Sequence, residues 1–73
     1  MALHDRVTVL IDVGTGSTRE EILQVRVEGA VIDVQPDTDP VTFTEVSRKG
    51  LAIRTISVAR ARLIAYIEEP HRG

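Results

Sequence analysis

From Arg6 to Val13 the chain reads RVTVLIDV, with Val7, Val9, Ile11 and Val13 on one side of a period-two pattern and Thr8 and Asp12 on the other. Apolar residues spaced by two line one face of an extended strand, whereas a helix needs them three or four apart. The same period recurs at Leu23, Val25 and Val27, at Ile32 and Val34, and through VTFTEV and LAIRTISV. Val, Ile and Thr, whose branched Cβ suits a pleated, half-buried surface, supply 24 of the 73 residues. The expected fold is all-β.

Punctuation between these runs sets the connections. Leu10 interrupts the alternation of the first strand, which implies cover on both of its faces. After the glycine-rich turn at Gly14 to Ser17, the apolar phase shifts by one residue at Gly29. A β-bulge or a sharp bend at a glycine produces such a shift, so Glu21 to Gln35 reads as one long bent strand. PDTDP, residues 36–40, is turn chemistry, and SRKG, residues 47–50, joins two strands as a hairpin loop with Gly50 free to take positive φ.

Two segments carry a helical alternative. Thr18 to Glu21 fits a capping box and allows one or two helical turns over TREEILQV. Residues 58–69 also read as a helix with Ser57 as N-cap, which would make the fold α+β. That helix would set Arg60 and Arg62 in its first turns and Glu68 and Glu69 in its last, against its dipole. The preferred reading is a 3₁₀ turn over Ala59 to Arg62, then a strand with Leu63, Ala65 and Ile67 inward. The result is a five-stranded, strongly bent antiparallel sheet whose strand order and loop lengths resemble an SH3-like or Sm-like small barrel.

A chain of 73 residues makes a single domain, 1–73, that buries only about 60% of its unfolded surface. Residues 1–5 and 70–73 are expected to fray. With no cysteine there is neither a disulfide nor a thiolate metal site, so association with another copy is the expected supplement to a small core. Apolar runs stop at four or five residues, against roughly 20 for a bilayer span. No signal-peptide pattern opens the chain. The expectation is a soluble, cytoplasmic protein with no membrane partner. A net charge of -2 offers no global attraction for nucleic acid.

The segment LIDVGTGSTR is similar to the opening strand and turn of the sugar-kinase branch of the actin-like ATPase superfamily, in its Asp-x-Gly-Thr-x-Ser pattern. That resemblance implies a metal-organising Asp12 and a phosphate cradle at Gly14, Thr15 and Ser17. It covers about ten residues, and the chain has no room for the second domain, second phosphate loop or adenosine pocket of those kinases. No Gly-Lys-Ser/Thr of a Walker loop follows either. The turn is therefore expected to act as a hairpin loop, with no cofactor. His4 and His71 sit near the termini and read as solvated. Glu20 and Glu21, Asp37 and Asp39, and Glu68 and Glu69 make no catalytic dyad, since neighbouring strand residues point to opposite faces. The protein is not expected to be an enzyme.

Two features suggest binding. Arg48 and Lys49 fall in the hairpin loop, and Arg54, Arg60 and Arg62 on or after the returning strand, where they could gather as an anion-binding face. Stacking aromatics are scarce, with Phe43 and Tyr66 alone. The edges AVIDV and LIAYIEE are weakly guarded by charge and invite strand addition. The expected function is a non-catalytic protein-interaction or assembly module, homo-oligomeric through its sheet edges, with Arg48, Lys49, Arg54, Arg60, Arg62 and Tyr66 as partner-binding residues. The alternative is a small nucleic-acid-binding or regulatory protein that uses the arginine face.

Overall fold

The computed structural model describes residues 3–70, with side chains for 4–69. The chain is all-β: β1 (Leu3–Gly14), β2 (Ser17–Gln24), β3 (Val31–Gln35), β4 (Val41–Val46), β5 (Ala52–Val58) and β6 (Leu63–Pro70), with a 3₁₀ turn at Arg60–Arg62 before β6. All pairings are antiparallel. They build a curled half-barrel, and no helix among the described residues is long and apolar enough to cross a membrane. Both helical alternatives are overturned: Thr18 to Gln24 pairs with β1 as a strand, and residues 63–70 do the same on the other side.

β1 organises the sheet. His4 pairs with Ile32 of β3 and with Pro70 of β6, so β3 lies on one side of β1 and β6 on the other. β2 covers residues 6–14 of β1 and β3 covers Leu3 and His4. Because β6 fills the opposite side, β2 and β3 follow one another along the same edge of β1. The expected long strand from Glu21 to Gln35 is thus present in direction and absent in continuity. It breaks over residues 25–30, where Gly29 has φ +82° and Ala30 N donates to Val27 O at 3.0 Å. Among the described residues the sheet has six strands, because the expected second strand is divided into β2 and β3.

The concave side holds the core: Val7, Val9, Ile11, Leu23, Ile32, Val34, Val41, Phe43 and Val58, with Val25, Ile56, Leu63 and Tyr66 packed against it. Phe43 and Tyr66 meet edge to face with ring centroids 5.4 Å apart. Val13, expected to share the face of Val7 and Val9, lies 44% exposed, because β1 runs past the end of this core.

Two further expectations need correction. In β6, Ala65 lies opposite Leu10 and Leu63 opposite Ile11, so Ile64 is the extra residue of a bulge. The bulge resets the alternation: Tyr66 turns inward, and Ile67, expected inward, is 66% exposed. His4, expected to be solvated, is buried at 6% exposure, because β3 and β6 grip the start of β1 from both sides. β1 begins at Leu3, within the segment expected to fray. His71 lies outside the described residues.

Candidate interaction surfaces

Alternation through β4 places Val41, Phe43 and Glu45 on one face, so the side chain that follows two core residues inward is a carboxylate. Glu45 is fully buried. One oxygen, Oε1, accepts from Arg54 Nε at 2.9 Å and Nη2 at 2.8 Å, and the other accepts from the amides of Arg26 at 2.9 Å and Val27 at 3.3 Å. Arg54 Nη2 also donates to Gln24 O at 2.7 Å, bridging β5 to the end of β2. Val25 N donates to Asp5 O at 3.0 Å. The backbone donors freed where the long strand breaks are therefore met by Glu45 and β1. Burial pushes the Glu45 carboxyl up, and the Arg26 amide, the Arg54 guanidinium and the Val27 amide together outweigh it, holding the pKa below its ordinary value.

The arginines of the expected anion-binding face do not converge. Arg54 faces the concave interior on Glu45. Arg60 Nη2 donates to Pro36 O at 2.6 Å and Thr38 O at 3.2 Å, while its amide donates to Asp39 Oδ1 at 3.1 Å, so it fastens the 36–40 turn to the 3₁₀ segment. Arg62 Nη1 reaches Asp12 O at 3.4 Å. Arg48 lies over Gly29, where an added Cβ would sit 2.7 Å from its Nε. With Lys49, Val27, Glu28 and Ser47 it lines an open hollow of about 380 Å³. Tyr66 belongs to the core packing described above.

The Gly14–Ser17 segment is a hairpin turn. Gly14, Thr15 and Gly16 all have positive φ, at 87°, 55° and 74°, and a Cβ built at either glycine meets nothing within 4 Å. The glycines serve backbone conformation here. Asp12 Oδ1 accepts from the Gly14 amide at 2.8 Å, which caps the turn.

The convex side differs between the two halves of the sheet. Over β3, β4 and β5 it carries two polar rows, Asp33, Thr44, Thr55 and Gln35, Thr42, Ser57, and one apolar row, Val31, Val46 and Ala52, by register with their neighbours. Thr44 and Thr55 hydroxyls are 3.2 Å apart, and Gln35 Nε2 donates to Asp33 Oδ2 at 2.9 Å. Over β2, β1 and β6 the rows read Ile22, Thr8, Ile67 and Glu20, Leu10, Ala65. Ile22 is 44% and Ile67 66% exposed. Among the described residues, β2, β5 and β6 each leave one edge without a strand partner.

The family described as Domain of unknown function (DUF8836) matches residues 7–70, a span that includes part or all of every strand, and the chain belongs to that family. No curated protein and no solved structure matches it.

Proposed function

We propose that this family member is a non-catalytic assembly module that binds another protein chain through the convex face and open edge of β2, β1 and β6. The single observation that carries the reading is the apolar character of that face, with Leu10, Ile22, Ala65 and Ile67 set together. Its continuation over β3, β4 and β5 carries two polar rows, Asp33, Thr44, Thr55 and Gln35, Thr42, Ser57, and one apolar row, Val31, Val46 and Ala52. Exposed apolar side chains grouped on one face mark interaction sites, and an unpaired strand beside them supplies backbone donors and acceptors for a partner strand. A nucleic-acid role has less support, because Arg54 and Arg60 direct their guanidinium groups to acceptors within the chain.

A photo-crosslinking side chain introduced at Ile67, and separately at Thr55, tests the proposal in the cell of origin. The expected result is a crosslinked protein adduct of defined mass from position 67 and none from position 55. Equal crosslinking from both positions, or none from position 67, would overturn it.

A further inference from the structure

The three open edges are not equivalent. β2 carries Arg19, Glu20 and Glu21, with Arg19 Nε and Glu21 Oε1 paired at 3.0 Å, a charged rim that discourages pairing. β5 contains a register shift between the partners of Glu45 and Val46, which leaves Ile53 as an extra residue and bends its edge. β6 differs from both: Ile64, Ala65, Tyr66 and Ile67 form an uncharged centre, with Arg60 and Arg62 before it and Glu68 and Glu69 after it.

We infer that β6 pairs antiparallel with β6 of a second copy across a two-fold axis. The inference rests on the assembly reading above and names the partner and the edge. β6 has a basic entry and an acidic exit, so it is complementary to itself only when reversed. A parallel pairing sets arginine beside arginine and glutamate beside glutamate, which is destabilising. Centred on Tyr66, and with Ile64 left out as the extra residue of the bulge, the antiparallel register sets Ala65 opposite Ile67 of the second copy and Leu63 opposite Glu68. Arg62, one position before Leu63, then falls opposite Glu69 of the second copy, a pairing of opposite charges.

The carboxylates remain available for that contact. Glu69 meets Arg6 Nε at 3.4 Å with both side chains about half exposed, and Glu68 Oε2 meets His4 Nε2 at 3.4 Å while one third exposed. Pro70 has no amide to donate and ends the new ladder. A two-fold axis perpendicular to the sheet keeps the convex faces on the same side. Leu10, Ile22, Ala65 and Ile67 of one copy then continue into the same residues of the other, and one contact repeats twice, as an isologous interface requires.

The test is a charge swap on the purified full chain, read by sedimentation equilibrium. The wild type is expected to dimerise. Arg62→Glu and Glu69→Arg, each acting twice across the axis, are each expected to weaken the dimer about tenfold. The double variant is expected to return to near wild-type affinity. Amide exchange on the wild type, which needs no substitution, is expected to slow at Ile64 to Ile67 as concentration rises. A monomer at every concentration would overturn the self-pairing. So would a dimer indifferent to both single substitutions, or one whose β6 amides exchange equally fast at all concentrations. Persistence of the Ile67 crosslink in those cases would leave the broader reading standing with a different partner chain. Loss of both would remove both.

Discussion

One sheet presents two kinds of convex surface. Over β3, β4 and β5, threonine, serine, aspartate and glutamine face outward and partly bond one another. Over β2, β1 and β6 the rows read Ile22, Thr8, Ile67 and Glu20, Leu10, Ala65. Both halves feed the core, β1 and β2 with Val7, Val9, Ile11 and Leu23 and β3 to β5 with Ile32, Val34, Val41, Phe43 and Val58, and the inward carboxylate of the first half, Glu45, holds the break between β2 and β3 in place. The second half runs past that core, with Val13 and the Gly14 turn exposed at its end. The difference teaches a division of labour: the Glu45 half fixes the fold, and the β6 half offers what the fold leaves unsatisfied.

The largest expected effect comes from the first half. Glu45→Ala strips Arg54, whose side chain is one third exposed, of its carboxylate partner and leaves two amides without an acceptor. Each donor left without an acceptor costs about 1–3 kcal/mol, so losing both amide bonds is enough to destabilise a chain this small measurably in denaturant titrations at neutral pH. Glu45→Gln keeps an acceptor and should cost less, about 1–3 kcal/mol. If Glu45→Ala were as stable as wild type, the division would fail at its firmer end.

Acid should act through the same group. Glu45 has a folded pKa below its unfolded one, so its contribution is complete above the ordinary carboxylate range and is lost as pH falls through the folded value. Stability measured by thermal melts should therefore drop on acidification below that range. In Glu45→Gln this part of the pH dependence should vanish. An unchanged acid profile in that variant would separate Glu45 from the stability of its half.

A smaller effect is expected at Gly29, where the chain turns between the halves. Gly29→Ala adds a Cβ at φ +82° and against Arg48. The left-handed conformation alone costs about 1–2 kcal/mol for a residue with a Cβ. Chemical denaturation should register this loss without a change in association, since position 29 is remote from β6 in the sheet order.

Strands whose signals are local were legible in the sequence. Period-two apolar residues locate β1, β4 and β5, and Gly50 and the prolines at 36 and 40 locate the turns. What escaped depends on contacts across the chain. The break at 25–30 exists because Glu45, about twenty residues later, takes the amides of Arg26 and Val27. A clue was present in VTFTEV, where the alternation that buries Val41 and Phe43 also turns Glu45 inward. The phase of β6 depends on the Ile64 bulge, which no local residue pattern signals. That bulge is why Tyr66, proposed for partner contact, lies in the core, and why Ile67 lies outside. The arginines looked collective in sequence, yet each reaches a different acceptor once the sheet curls.

The most direct measurement compares Ile67→Lys with Thr55→Lys by sedimentation equilibrium, with melting temperature recorded for each. Both substitutions replace an exposed side chain on a convex face, so both should leave stability within about 0.5 kcal/mol of wild type. Association should be lost in Ile67→Lys and retained in Thr55→Lys. Equal association in the two variants, or loss in Thr55→Lys alone, would contradict the assignment of the binding role to β2, β1 and β6.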